Sequence, residues 1–212
     1  MNINYDKELN IILSSLPATP PKLLLHACCA PCSTYCLTQL ITHFDVTLYY
    51  ANNNITDCNE WNKRLVELQK LVEIVNNGTF EVAPIRQLKL AVPNFDNTKF
   101  FDIAKGLEQE KEGGARCKEC FLMRLTESQR YAVANGFDFF GTTLTVSPYK
   151  NSQLLNAIGI NLASDDVKWL PSDFKKRNGY AESVRLSQKY DLYRQHYCGC
   201  CYSLPKLQPE TV

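Results

Sequence analysis

KLLLHACCAPCSTYCLTQLITHF, Lys22–Phe44, is the stretch on which the reading of this chain turns. Its first six residues form an apolar run directly after the Pro20-Pro21 breaker, as a short buried strand does. From Cys32 onward the apolar positions recur at helical spacing. A strand passing into a helix through CCAPC (28–32) is the first half of a crossover unit, and the rest of the chain repeats the theme. DVTLYYA (45–51) reads as a second strand, EWNKRLVELQKLVEIVNNG (60–78) as an amphipathic helix stopped by Gly78, and TFEVAPI (79–85) as a third strand. A looser helix follows around 95–109. The Gly113-Gly114 break separates it from a long helix over 115–136, for which Gly136 is the terminator. FDFFGTTLT (137–145) reads as a strand, and 151–164 and 181–191 as later helices. Strands separated by helices of this length require right-handed crossovers and a mainly parallel sheet flanked by helices, a Rossmann-like α/β fold. Ligands in such sheets bind beyond the carboxyl ends of the strands, so Cys28, Cys29 and the segment VSPYKN (146–151) are expected on one rim.

At 212 residues the chain has room for one substantial domain, and no repeat, low-complexity tract or linker divides it; one domain over 1–212 is expected. Its first 21 residues mix charged and apolar positions without a run of signal-peptide or membrane-spanning length, which points to a cytoplasmic protein without a membrane partner. Ten cysteines in a reducing compartment favour metal ligation or redox chemistry over disulfides. The net charge of +1 conceals an uneven distribution. Residues 1–112 carry 10 Lys+Arg against 13 Asp+Glu, whereas 113–212 carry 13 against 9, which leaves room for a phosphate-binding face in the second half.

Seven cysteines fall into three blocks: Cys28, Cys29 and Cys32; Cys117 and Cys120 in RCKEC; Cys198 and Cys200 in YCGCC. Residues three apart share a helix face, so Cys117 and Cys120 can address one centre, and a helix N-terminus favours the thiolate form. Gly199 lets its flanking cysteines turn toward a compact site. Seven sulfurs exceed the four of a closed tetrahedral zinc site. Spacing alone leaves iron–sulfur, zinc and metal-free thiol chemistry open. Cys36 suits a packing role on its helix, and Cys58 and Cys201 are read the same way.

HACCAPCS, RCKECFLMRL, TTLTVSPYKN and YRQHYCGC, in this order, resemble the QueH type of epoxyqueuosine reductase, over a core from about Lys22 to Ser203. The resemblance implies a Rossmann-like fold of the HUP or ATP-pyrophosphatase kind, carrying a cysteine-rich metal site at the C-terminal strand edge. It implies an oxidoreductase of tRNA modification that reduces the epoxide of epoxyqueuosine at the wobble position to queuosine, the last step of queuosine biosynthesis. The implied cofactors are a 4Fe-4S cluster and an additional mononuclear iron; the implied partners are epoxyqueuosine-containing tRNA and an external electron donor. Family cysteine positions match Cys28, Cys29, Cys117, Cys120, Cys198 and Cys200, and the position of Cys32 can also be aspartate in the family. Cys36, Cys58 and Cys201 match no family ligand. The chain departs from the family at Asn53, where an Asn-Pro-Asn-Ile pattern is usual, which weakens any role for Asn52 or Asn54.

On this basis Cys29, Cys117, Cys120 and Cys200 are expected around the cluster and Cys28, Cys32 and Cys198 around the iron, the neighbours Cys28 and Cys29 pointing apart on extended backbone. Tyr149, Lys150 and Tyr193 are the candidate catalytic proton donors. Arg116, Arg194, Gln195 and the Lys175-Lys176-Arg177 run are candidates for holding tRNA. Asp96 reads as a helix cap and His26 as a hydrogen-bonded core residue. Two rivals remain: a zinc-stabilised interaction module, and a tRNA sulfurtransferase-like enzyme, which would want a Gly-rich phosphate loop where CCAPC stands.

Overall fold

The computed structural model describes residues 2–203. In chain order the elements are α1 (Tyr5–Ser14), β1 (Lys22–His26), α2 (Ala30–Leu40), β2 (Asp45–Tyr49), α3 (Cys58–Asn76), β3 (Lys89–Ala91), α4 (Thr98–Ala104), α5 (Ala115–Ala134), β4 (Phe139–Thr142), α6 (Ser152–Leu162), β5 (Lys168–Trp169) and α7 (Gly179–Lys189). Two 3₁₀ turns, Thr143–Val146 and Cys201–Ser203, complete the set. The strands form one sheet in the order β3-β2-β1-β4-β5, and every pairing is parallel. This is the expected Rossmann-like α/β architecture. Its winding reverses between β1 and β4, and a crevice opens where the two strands release their connections in opposite directions.

Both faces of the sheet are covered. Along β1, Leu23 and Leu25 point to one side and Leu24 to the other, because successive strand side chains alternate. Leu23 and Leu25 belong to a core cluster shared with α2, α3 and α7 that includes Leu37, Leu68 and Leu186. Leu24 meets Leu125 of α5 and Leu155 and Ile158 of α6. Trp169 of β5 lies so close to Gly159 that an added Cβ there would fall 2.1 Å from its ring. No helix among the described residues is long and apolar enough to cross a membrane.

Three local expectations need correction. Residues 79–85 are bends rather than a strand, and the third strand is Lys89–Ala91. Pro84 has no N–H for a ladder, and the segment docks sideways instead: Phe80 stacks on Tyr190 and Glu81 pairs with Arg185 and Lys189. Asn76 then holds Leu88 by both its N–H and its carbonyl, which sets the entry to β3. The helix expected over 95–109 covers only Thr98–Ala104. The strand expected over 137–145 ends at Thr142, whose hydroxyl accepts from the Leu144 N–H and starts the 3₁₀ turn. The helix α1 and the two-residue β5 lie outside the sequence reading. Gly78 and Gly136 do end their helices, with φ of 74° and 64°.

Candidate metal centre

β1 delivers the chain to Cys28 and Cys29, and Cys29 caps α2 with extended backbone (φ −173°, ψ 164°). Cys32, in the first helical turn, closes back over the pair. The three sulfurs lie within 4.8 Å of one another, with Cys28 and Cys29 Sγ 3.7 Å apart. The expected divergence of the two neighbours is therefore absent, since the turn out of β1 swings both sulfurs to one side. Across the crevice, the Cys28 N–H donates to Thr143 Oγ1 just past β4 (3.3 Å). Residues 115 apart in sequence thus meet at the sheet's switch point.

The other four thiols come from two elements. At the start of α5, Cys117 accepts from the Gly113 N–H (3.2 Å), and Cys120 follows one turn later, packed with Phe100 and Cys200. Cys198 and Cys200 sit on the loop after α7, which turns at Gly199 with φ of 118°. A Cβ at Gly199 would come within 2.9 Å of Ile55 and 3.2 Å of the Arg64 guanidinium. Arg64, buried on α3, ion-pairs with Glu60 (2.7 Å) and donates to the carbonyls of Cys198 (2.9 Å) and Tyr197 (3.2 Å). Arg64 thereby anchors the first half of the YCGC loop, and the Thr56 N–H holds the Gly199 carbonyl (3.2 Å).

Two adjoining cavities open among these groups. One, of about 240 Å³, is walled by Cys28, Cys32, Cys198, Arg124 and Arg194 among others. The other is smaller, and Cys117, Cys120, Cys198 and Cys200 line it together. Tyr149, Lys150 and Glu112 border both. The grouping differs from the expected partition: Cys29 belongs with Cys28 and Cys32, and Cys198 stands between the two sets. Among the described residues only the Cys28, Cys29 and Cys32 triad is tight enough to close on a single ion, and the wider four-thiol set suits a larger group.

The charges around the thiols are consistent with metal ligation. Hydrogen bonds from Cys29 and Cys32 hold the Cys28 thiol well below its usual range, aided by the positive charges of Lys150 and Arg124. Burial pushes Cys29 up to about 12, and sharing a proton with Cys28 raises Cys32. Burial likewise pushes Cys120 up to about 12 and raises Cys117 and Cys200. Most of these sulfurs would stay protonated without a cation to displace the proton, which is how metal binding couples to thiol ionisation. Burial would lower the pKa of Lys150, but Cys198, Cys28 and Cys32 face it, and as the thiolates that metal ligation requires they outweigh burial and favour the ammonium.

The remaining candidates separate clearly. Tyr149 is 77 % exposed at the cavity mouth. Tyr193 turns away, its hydroxyl donating to Glu60 (3.2 Å), and it lines neither cavity. Arg116 is buried, donates to the carbonyls of Leu107, Glu108 and Glu110 and so ties down a loop, and it lines the smaller cavity. Gln195 spends its amide N–H on Cys29 Sγ (2.9 Å), whereas Arg194 borders the larger cavity stacked over Tyr180. In the basic run, Lys175 pairs with Asp173 and Arg177 with Asp6. Asp96 accepts from the Thr98 N–H at the start of α4. His26 is buried, its Nδ1 bonded to the Thr142 hydroxyl (2.9 Å) and its Nε2 accepting from Arg124, and it is held neutral, down to about 3, by burial and Arg124. Cys36 is buried with its thiol on the Cys32 carbonyl, and Cys58 and Cys201 are exposed.

A family model described as epoxyqueuosine reductase QueH matches residues 23–206. This chain belongs to the QueH epoxyqueuosine reductase family. Relatives of that name include proteins from Streptococcus pyogenes serotype M1, 42% identical over 204 residues (95% of this chain, 78% of the relative), and Staphylococcus epidermidis, 42% identical over 209 residues (96% and 86%). A third, from Thermotoga maritima, is 32% identical over 187 residues (86% and 90%). The resemblance read from the four sequence blocks is thus borne out.

Two residues of this QueH-family site escaped the sequence reading. Arg124 is 2 % exposed, makes no ion pair among the described residues, and donates to His26 Nε2 (3.3 Å) and to Asn52 Oδ1. Asn52 in turn donates to the Ala27 carbonyl (2.8 Å), fixing the backbone ahead of Cys28. Arg64 is the other. Each interrupts an apolar stripe: Trp61, Arg64, Leu68 and Leu71 on α3, and Phe121, Arg124, Leu125 and Ser128 on α5 are all buried. A cation at a stripe position was the available signal.

Proposed function

We propose that this chain is an oxidoreductase that removes the epoxide oxygen of epoxyqueuosine at the tRNA wobble position, completing queuosine in the cytoplasm as one domain. The balance is simple. Two carbon–oxygen bonds break, a carbon–carbon double bond forms, and the oxygen leaves as water with two electrons from an external donor and two protons. The observation that carries this reading is the convergence of seven thiols on one strand edge beside a buried-side cavity, in a chain of this family. The residues fit two metal groups: a 4Fe-4S cluster held by Cys117, Cys120, Cys198 and Cys200, and a single iron held by Cys28, Cys29 and Cys32. When bound, the cluster supplies single electrons and the iron a Lewis-acid site.

The chain's own residues supply the rest. Lys150, borne on the loop between β4 and α6, reaches both cavities, and its ammonium is favoured by the facing sulfurs in their thiolate form. An alkoxide released by carbon–oxygen cleavage is far more basic than an amine, so Lys150 can hold the oxygen and pass it a proton at Nζ. Arg124 balances the negative charge of the thiolates on both sides, and its fixed bonds to His26 and Asn52 cost no reorganisation during the reaction. Arg194 borders the mouth and suits an incoming phosphate.

Anaerobic reconstitution followed by incubation with epoxyqueuosine-containing tRNA and a reductant tests the activity; an iron-loaded protein that yields no queuosine refutes it. Serine substitutions test the ligand groups by counting iron per chain. Cys29→Ser should lose about one iron and Cys198→Ser several, since a cluster takes four thiolates. The opposite pattern restores the partition drawn from sequence. A colourless, zinc-loaded preparation would point to the interaction module instead.

A further inference from the structure

Tyr149 is 77 % exposed, yet it sits on a loop held by several hydrogen bonds. Its own N–H lies 3.4 Å from Ser147 Oγ, and the next N–H, of Lys150, donates to the Ser147 carbonyl (3.2 Å). Lys175 reaches under the loop from the other side, donating to the carbonyls of Thr145 (3.3 Å) and Lys150 (3.2 Å) while anchored on Asp173 (3.0 Å). Asn151 then caps α6 by accepting from the Leu154 N–H (3.2 Å). An aromatic ring with two side-chain torsions on a fixed backbone loses little entropy when something stacks on it. Also bordering the same cavity, the Arg194 guanidinium lies 5.2 Å from the Tyr180 ring centroid in a cation–π contact. Ring and guanidinium thus border the mouth through which a substrate reaches the thiols.

A rigid exposed ring at a cavity mouth suits an unpaired nucleotide strand: one base enters, its neighbour remains outside with an uncovered face, and the phosphate joining them passes the rim. We propose that Tyr149 is the stacking platform for the nucleobase adjacent to the one that enters the cavity, and that Arg194, oriented by Tyr180, takes the intervening phosphate. This inference rests on the tRNA reading above. It moves Tyr149 from proton donor to substrate recognition.

The test uses the metal-reconstituted full chain and an anticodon stem-loop RNA, measured by fluorescence anisotropy. Tyr149→Ala is expected to weaken binding at least fivefold, in line with alanine substitution at base-stacking sites at roughly 1–3 kcal/mol per base. Tyr149→Phe, which keeps the ring and loses the hydroxyl, is expected to bind as the parent does. With 5-iodouridine placed next to the wobble position, irradiation should cross-link the RNA to the peptide containing Tyr149. Equal losses for the alanine and phenylalanine variants would assign the role to the hydroxyl and overturn stacking, and so would parent-like binding by Tyr149→Ala or a cross-link elsewhere. Thermal melting checks the fold of each variant. A parent protein that binds no stem-loop would defeat the tRNA reading itself, whereas a parent that binds and a Tyr149→Ala variant that binds equally would defeat only this inference.

Discussion

Replacing Arg64 with methionine tests whether the cysteine loop depends on a single buried cation. The guanidinium makes a 2.7 Å ion pair with Glu60 and two bonds to the carbonyls of Tyr197 and Cys198, with the two charged side chains only 2 % and 10 % exposed. Methionine fills most of the same volume, so packing loss is small. What remains is a nearly buried Glu60 carboxylate whose other neighbour is the Tyr193 hydroxyl, and two loop carbonyls without their donor. Removing one partner of a buried ion pair costs about 3–5 kcal/mol. Urea denaturation of the metal-free protein should show that loss, and anaerobic reconstitution should show depleted iron because Cys198 and Cys200 lose their anchor. The double variant Glu60→Leu, Arg64→Met removes the stranded carboxylate and should regain stability relative to Arg64→Met without regaining iron. A loss below about 1 kcal/mol, the level of an exposed pair, would refute the reasoning. So would full iron loading in Arg64→Met.

Gly199→Ala should be poorly tolerated, because φ of 118° and a Cβ 2.9 Å from Ile55 both oppose it; a loss of roughly 1–3 kcal/mol in denaturation is expected, with reduced iron content. Gly159→Ala forces Trp169 to move from 2.1 Å and should lower stability by about 1–3 kcal/mol while leaving iron loading near normal, since β5 lies away from the thiols. Arg185 and Lys189 hold the Glu81 carboxylate down at about 2, against 4.5 when unfolded. A depressed carboxylate stabilises fully above the unfolded value and loses that contribution as pH falls toward the folded one. The stability difference between the parent and Glu81→Gln should therefore shrink as pH drops from about 5 to about 2, and added salt should diminish it, because the pair is partly exposed. A difference independent of pH would reject the assignment.

Local periodicity carried the alternation of strands and helices, and with it the class of fold, because burial on both faces of a parallel sheet demands apolar runs such as Lys22–Ala27 between amphipathic helices. It failed at 79–85, where Pro84 denied a ladder donor and docking on α7 outweighed strand propensity, and at β5, whose two residues leave no pattern to read. The four blocks HACCAPCS, RCKECFLMRL, TTLTVSPYKN and YRQHYCGC identified the family and collected all seven thiols, since residue type and spacing are properties of the chain itself. How those thiols group is not such a property. Cys28 and Cys29 share a side because of the turn out of β1, and Cys198 stands between the two sets because Arg64 holds its loop across α3. The same holds for the cations: Arg116 spends its charge on backbone carbonyls and Lys175 on carbonyls and Asp173, while Arg124 and Lys150 face sulfur. Each of these roles depends on which distant backbone arrives alongside, and that is decided only when β4 pairs with β1 and the sheet closes its crevice around them.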